Sequence, residues 1–312
     1  MSWVFLAGNL VYKLKKPVSY RYFDFTTLES RRLNCLAELK LNGRLAEGVY
    51  LDVVPLRAAL DGTLTFNSGD GVVEWLVRMR RLPAERMLDA LIQDGGVEHR
   101  DVQKAAQKLA GFYVTCTPQD VGVDWALARF SAEHEEDRTL LSDSRFNLEQ
   151  DRTAAALFMM RRAIGKVAPL LEVRCTERAF VEGHGDLRPE HICLLPQPVF
   201  IDCLEFNREL RLLDPFDEIA YLGLECERLG AAWVGEVFLS SARESLLTSA
   251  PEPLLCFYRA ARALLRARLA LAHLTEPQPR TPEKWEPRAR QYIRIAEASL
   301  ERLSTLLGGG SE

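Results

Sequence analysis

Between residues 181 and 206 the chain gathers the side chains best suited to chemistry. The run Val181-Glu182-Gly183-His184-Gly185-Asp186-Leu187-Arg188-Pro189-Glu190-His191 sets two histidines, an aspartate and an arginine among turn formers. Gly183, Gly185 and Pro189 flank Asp186, so its carboxylate belongs on a loop rather than in a packed element. Ile192-Cys193-Leu194-Leu195 and Val199-Phe200-Ile201 are short apolar runs joined by Pro196-Gln197-Pro198, which reads as a hairpin. That hairpin sets His191, just before one strand, and Asp202, just after the other, at the same end. Asp186 on the preceding loop converges with them. Taken singly, Asp186 is as readily a loop cap and Asp202 a strand-end cap. Together, at this spacing, they read as an active site.

The elements that must position these groups begin at the N-terminus. Val4-Phe5-Leu6-Ala7, Gly8-Asn9 and the alternating Leu10-Val11-Tyr12-Lys13-Leu14-Lys15 predict a β-hairpin. Alternation puts Val11, Lys13 and Lys15 on one face, where the lysines either serve a site or guard an edge strand against pairing. Thr26 or Thr27 caps a helix that runs to about Leu45 and carries Glu29 and Glu38. Strands are expected at 49–56, 64–66 and 72–77, then a basic connector from Arg78 to Pro83. Helices follow at 84–92, 99–113, 122–133, 148–172, 216–229, 231–249, 252–274 and 283–307, interrupted by the segment 181–206. The tail 308–312 reads as disordered. The expected fold is α+β: a small β-rich lobe (1–77), a hinge (78–83) and a large helical lobe (84–307), with a cleft between the lobes.

The 181–206 segment resembles the catalytic segment of aminoglycoside phosphotransferase-like kinases, which have a His-Gly-Asp loop ending in Asn and a hairpin ending in Ile-Asp. Asp214-Pro215-Phe216-Asp217-Glu218-Ile219-Ala220 is similar to the family's Asp-Pro-x-x-Asp-Leu-Ala helix start, with Glu218 at the second acidic position. More closely, the chain resembles the kinase-like half of bacterial proteins that pair this domain with a P-loop ATPase. Val11-Tyr12-Lys13-Leu14-Lys15-Lys16-Pro17, Phe23-Asp24-Phe25-Thr26-Thr27-Leu28-Glu29 and Asp202-Cys203-Leu204-Glu205-Phe206-Asn207 suggest that branch. No Gly-x-x-x-x-Gly-Lys-Ser/Thr occurs, so the P-loop half is absent here. The resemblance covers about residues 2–305.

It implies a two-lobed protein-kinase-like fold and ATP- and Mg2+-dependent transfer of the γ-phosphoryl group to a hydroxyl of a small molecule. Such transfer needs an oriented nucleophile, neutralised phosphates and a bridging metal. By resemblance Asp186 is the base or hydroxyl-orienting carboxylate, and Asp202 is the magnesium ligand. His184 braces the loop. Arg188 contacts phosphate or pairs with Glu190 or Glu205. Lys13 matches the lysine that reaches the phosphates, with Lys15 as understudy. Glu38 matches the carboxylate that holds it, with Glu29 as the alternative. The connector Arg78-Met79-Arg80-Arg81-Leu82 is the hinge, its backbone facing an adenine edge. Two departures stand out. The chain opens at what the family counts as its second strand, and His191 occupies the metal-binding Asn position. An imidazole ligand would favour Mn2+ over Mg2+, whereas a His191 that only hydrogen-bonds the Asp186 loop would not. These departures make a nucleotide-binding pseudokinase or scaffold the rival reading.

Composition narrows the partners. Forty Lys and Arg against forty-four Asp and Glu give a formal charge of −4, which argues against a general electrostatic nucleic-acid binder. No apolar run reaches the roughly 18–20 residues of a membrane span, and Met1–Ala7 lacks the basic start of a signal peptide. Seven cysteines with no Cys-x-x-Cys read as free thiols in a reducing, cytoplasmic compartment rather than as a zinc cluster. Arg259, Arg262 and Arg266 form one helical stripe, which is either a solvated face or, turned to the cleft, a reason to expect an anionic acceptor. The run Glu133-His134-Glu135-Glu136-Asp137 reads as an exposed loop that could meet a polycation. Aminoglycoside resistance is therefore the lesser enzymatic reading.

Overall fold

The computed structural model describes residues 2–59, 61–66 and 71–308. The chain forms two compact units, residues 1–116 with 182–212 and residues 117–181 with 213–312.

In the first unit β1 (Ser2–Ala7) and β2 (Leu10–Lys15) form the expected hairpin, with Ser2 opposite Lys15 and Ala7 opposite Leu10. Gly8 turns it at a φ of 58°, a conformation open to glycine at no steric cost. A two-residue pair, β3 (Ser19–Tyr20) with β4 (Phe23–Asp24), leads to helix α1 (Leu28–Asn42). Thr27 is its N-cap and accepts a hydrogen bond from the Ser30 amide at 3.0 Å. Strands β5 (Tyr50–Ala58), β6 (Leu64–Thr65) and β7 (Gly71–Arg80) complete an antiparallel sheet in the order β1-β2-β7-β5-β6. Cys35 of α1, Val77 and Met79 of β7, and Cys193 and Val199 share one buried cluster. The sheet, α1 and the segment carrying Asp202 are thus fastened by a common core. Helices α2 (Leu88–Gln93) and α3 (His99–Thr115) follow. Then β8 (Val181–Glu182) leads into the loop, and β9 (Ile192–Cys193) pairs with β10 (Val199–Phe200) as the sequence predicts.

One expectation is corrected here. Arg78 and Met79 are not connector residues. They lie inside β7, opposite Tyr12 and Val11 of β2 and opposite Asp52 and Tyr50 of β5. The strand continues past residue 77 because Asp52 of β5 takes the Arg78 guanidinium at 2.8 Å, which makes a charged side chain comfortable there. Flanked by a strand on each side, their backbone is committed to the sheet and is not free for an adenine edge.

The second unit is helical: α4 (Val123–Leu141), α5 (Gln150–Lys166), α6 (Ala168–Thr176), α7 (Pro215–Arg228), α8 (Ala232–Ser245), α9 (Glu252–Ala272) and α10 (Trp285–Gly308). The single helix expected over 148–172 divides at Val167, with Pro169 in the first turn of α6, where the missing amide costs nothing. Gly308 closes α10, and the rest of the expected tail, 309–312, lies outside the described residues. No helix among the described residues is long and apolar enough to cross a membrane.

Two charge patterns prove to be internal. The arginines of α9 are neutralised by α7: Arg262 grips buried Asp217 through two bonds of 2.7 Å, Arg266 meets Glu225 at 2.7 Å, and Arg259 pairs with Glu227. Arg262 and Arg266 are therefore neither a solvated face nor an anion site, Arg259 is paired at the surface, and the case for an anionic acceptor loses its basis. The acidic run is not a loop but lies within α4, where Asp137 and Glu136 bind Arg268 at 2.6 and 2.7 Å. Asp214 is structural too. It caps α7 through the Phe216 amide and pairs with Arg174, both groups being buried.

Candidate active site

The site is built around one carboxylate shared by two lysines. Glu38 of α1 is fully buried, and its Oε1 and Oε2 lie 2.5 Å from Lys13 Nζ and Lys15 Nζ respectively. Each lysine has a second partner on the segment after β10. Lys13 reaches Asp202 Oδ1 at 2.5 Å, and Lys15 reaches Glu205 Oε1 at 2.5 Å. Two cations against three carboxylates leave one net negative charge, next to which Asp202 keeps about half of its side chain (47%) exposed. Burial works against the Lys13 ammonium, yet Glu38 and Asp202 outweigh it and hold its pKa well above the ordinary lysine range. Burial also works against the Glu38 charge, but the two ammonium groups keep its pKa below the usual carboxylate value. Asp202 behaves likewise, with Lys13 the main opponent of desolvation, and its pKa is pulled far down. Glu205 is shifted the other way, because burial outweighs the pull of Lys15. Lys13 and Lys15 thus share Glu38, and beyond it Lys13 reaches Asp202 while Lys15 reaches Glu205.

The backbone at Asp202 is held in the left-handed region, with φ 62°. Such a conformation is costly for a side chain larger than glycine, although aspartate tolerates it better than most. Two contacts from the sheet side fix it. The Tyr50 hydroxyl accepts from the Asp202 amide at 3.1 Å, and Asn42 Oδ1 accepts from the Cys203 amide at 2.9 Å. Arg44, just beyond α1, donates to the Glu182 and Gly183 carbonyls at 2.8 Å each and ties down the start of the loop. Tyr50, Asn42 and Arg44 were not singled out from sequence, and Glu205 was offered only as a partner for Arg188. Only Glu205 carried a signal, its place three residues after Asp202.

On the loop, His184 is fully buried. Its Nε2 lies 2.8 Å from the Ile201 carbonyl, and its Nδ1 accepts from the Asp186 amide at 3.3 Å. A carbonyl only accepts, so Nε2 carries the proton. Burial pushes the ring's pKa down to about 4, which keeps it neutral. His184 therefore bonds both the Asp186 loop and the hairpin. Gly185 has φ 89°, and a Cβ there would meet Leu204 Cδ1 at 3.0 Å and Arg211 Cγ at 3.1 Å. Only glycine satisfies both limits.

Asp186, His191 and Asp202 converge as the spacing predicts, with His191 3.8 Å from Asp186 Oδ2 and 3.7 Å from Asp202 Oδ2. Arg188 lies 3.0 Å from Asp186 Oδ2 and 2.6 Å from Glu190 Oε1, so of its two candidate acidic partners it takes Glu190 and not Glu205. His191 Nδ1 is 2.8 Å from the Asp186 carbonyl, and its Nε2 is 3.0 Å from an Arg188 nitrogen. The carbonyl fixes the proton on Nδ1, and the guanidinium only donates, so the Nε2 lone pair is committed to Arg188. Asp202 Oδ2 is 3.7 Å away from that nitrogen. Of these groups the half-exposed Asp202 carboxylate is the oxygen donor most open to a divalent metal. Magnesium needs no more from the protein than one or two carboxylates, taking its other oxygens from phosphate and water. Among the described residues no group of three His, Cys, Asp or Glu is arranged as a metal cage.

No family model matches the chain. Uncharacterized proteins of Mycobacterium tuberculosis H37Rv and Mycobacterium bovis are each 30% identical to it over 287 residues, covering 88% of this chain and 54% of theirs. The chain spans about half the length of these relatives. A choline/ethanolamine kinase family protein from Mesorhizobium loti covers 98% of this chain and 88% of its own, with a TM-score of 0.59 at 16% identity. A glucosamine kinase solved with glucosamine, ADP and inorganic phosphate covers 98% and 82%, with a TM-score of 0.55 at 13% identity. Choline kinase from Cryptosporidium parvum covers 99% and 90%, at 0.52 and 9%. The class is thereby defined: an α+β chain with a protein-kinase-like fold. Within that class, the chain shares its fold with the choline/ethanolamine kinase family protein and the glucosamine kinase.

Proposed function

We propose that the chain is an ATP- and magnesium-dependent phosphotransferase that moves the γ-phosphoryl group to a hydroxyl of a small molecule. The observation that carries the reading is the Lys13 ammonium, 2.5 Å from both buried Glu38 and half-exposed Asp202. A cation so oriented is placed to meet phosphate oxygens without paying for its own ordering. Asp186 orients the acceptor hydroxyl and takes its proton as the oxygen attacks the γ-phosphorus and the bond to ADP breaks. Asp202 would hold magnesium, which neutralises phosphate charge. His191 steadies the Asp186 loop and is not needed as a ligand. Residues 1–77 cover the nucleotide in this reading, and the adenine edge meets the backbone at Leu82 in place of Arg78 and Met79, since the Arg81 amide donates to the Asn9 carbonyl at 2.9 Å and Pro83 has no N–H. The seven thiols, none in a disulfide, fit a cytoplasmic setting. The acidic run on α4 is engaged with Arg268, which removes the reason to favour an aminoglycoside.

A second reading, nucleotide binding without turnover, is favoured by the Arg188–Asp186 ion pair, which occupies the carboxylate a base would use. Transfer of labelled γ-phosphate from ATP decides between them. The panel is choline, ethanolamine, glucosamine, an aminoglycoside and other small alcohols, with ATP affinity measured in parallel. Transfer that disappears in Asp186→Asn supports the enzyme. ATP binding with no transfer to any alcohol selects the second reading, and absence of ATP binding overturns both.

A further inference from the structure

The helical unit carries a half-open cavity of about 950 Å³ among α7, α8, α9 and α10, within the 300–1,000 Å³ usual for small-molecule sites. None of its lining residues belongs to the lysine–carboxylate group. It is open because the floor is built from small side chains, among them Ala220, Gly223, Ala232, Gly235 and Ala298. At Gly223 and Gly235 the helices α7 and α8 meet backbone to backbone, for a Cβ on Gly235 would lie 2.6 Å from the Gly223 Cα. No side chain can grow from there to fill the space. Ile219, Leu239, Leu255 and Ile295 add an apolar surface.

The walls are rich in arginine. Arg228, Arg243, Arg259, Arg290, Arg294 and Arg302 line the cavity against Glu227, Glu236 and Glu252, six positive charges to three negative. Glu252 alone serves two of them, Arg302 at 2.7 Å and Arg243 at 3.5 Å. Arg259 pairs with Glu227, and carboxylates outside the lining orient the rest: Glu225 meets Arg228 at 2.9 Å, Glu149 meets Arg294 at 2.5 Å and Glu286 meets Arg290 at 3.8 Å. A guanidinium has five N–H donors in a rigid fork, so one carboxylate oxygen orients it without exhausting it. Arg294 and Arg302 remain 61% and 65% exposed. They are held in place with donors to spare, on the helix that forms one long side of the cavity.

We propose that this cavity is a second ligand site, for an organic polyanion: an apolar body carrying two or more phosphate or comparably acidic groups. The body lies on the small-residue floor, and its acidic groups meet the arginines of α10 and α8. The proposal does not depend on the phosphotransfer reading, since the two sites share no residue.

The test uses two probes on the full chain: inorganic tripolyphosphate by calorimetry, and the aromatic disulfonate bis-ANS by fluorescence. Tripolyphosphate should bind saturably and displace bis-ANS. Arg294→Gln/Arg302→Gln should weaken both probes by roughly tenfold or more, because charge-assisted bonds are lost. Ala298→Trp, on an exposed turn of α10, fills the floor and should abolish bis-ANS binding while sparing tripolyphosphate. Arg138→Gln/Arg145→Gln, away from the cavity, should change neither, and Lys13→Met should leave the displacement intact. Affinities unaltered by the α10 arginine pair, or bis-ANS binding unaltered by Ala298→Trp, would overturn the proposal. Should the arginine variant melt early, Ala298→Trp decides alone.

Discussion

Replacing Lys13 by methionine removes a cation that touches both Glu38 and Asp202, each at 2.5 Å. The five-residue group then changes from two cations and three anions to one cation and three anions. Glu38, with no exposure, retains Lys15 at 2.5 Å, so its charge is halved in support rather than abandoned. Breaking a buried ion pair costs about 3–5 kcal/mol, and the surviving lysine puts this case near 3. At about 2–4 °C per kcal/mol for a chain portion of this size, the melting temperature should fall by roughly 6–12 °C. Loss of an ammonium from the phosphates should weaken ATP by about 1.5–3 kcal/mol, or roughly 10- to 150-fold. The two effects separate in the double variant Lys13→Met/Glu38→Gln, which restores the net charge of −1. Thermal unfolding should recover most of the loss, while calorimetry with Mg-ATP should show affinity no better than in Lys13→Met. Unchanged ATP affinity in Lys13→Met would refute the role given to this ammonium. Recovery of affinity together with stability would show that Lys13 supports the fold and nothing more.

Three further outcomes follow from the same geometry. Asp186→Asn should abolish transfer with Mg-ATP affinity kept within a few-fold, whereas Asp202→Asn should weaken metal-dependent nucleotide binding. Equal losses of binding in both would remove the division of labour. His184, its pKa depressed to about 4 against about 6.5 unfolded, binds its proton later in the folded state as pH falls. Its contribution is complete above pH 6.5 and is lost progressively toward pH 4, by about 3 kcal/mol. Thermal unfolding across pH 4–7.5 should show this acid sensitivity in the wild type and a flatter profile in His184→Gln; parallel profiles would assign the sensitivity elsewhere. Gly185→Ala should cost roughly 1–3 kcal/mol through its positive φ and the crowding by Leu204 and Arg211, with turnover falling more than ATP affinity. A variant as stable and active as the wild type would mean the loop relaxes freely.

How far the sequence speaks depends on how local each cause is. The first hairpin was legible because Gly8-Asn9 and the alternation after it act within a dozen residues, and Thr27 announced α1 in the same way. The convergence of Asp186, His191 and Asp202 was legible because one short hairpin sets it. Glu38 could be matched to Lys13, but not its second bond to Lys15, since that depends on how α1 lies under the sheet. The extension of β7 through Arg78 and Met79 was hidden by charge, and its cause, Asp52, sits 26 residues earlier. The arginines of α9 and the acidic run of α4 looked like surface because their partners, Asp217, Glu225 and Arg268, are more than 40 residues away in the chain. Tertiary ion pairs leave no period in a sequence.

The account stands most directly on where a nucleotide binds. A crystal structure with a non-hydrolysable ATP analogue and magnesium should show the Lys13 ammonium within hydrogen-bond distance of the phosphates. It should also show Asp202 on the metal, and Asp186 facing the γ-phosphate from the acceptor side. A nucleotide bound away from Lys13, Glu38 and Asp202, with that group still closed on itself, would contradict it.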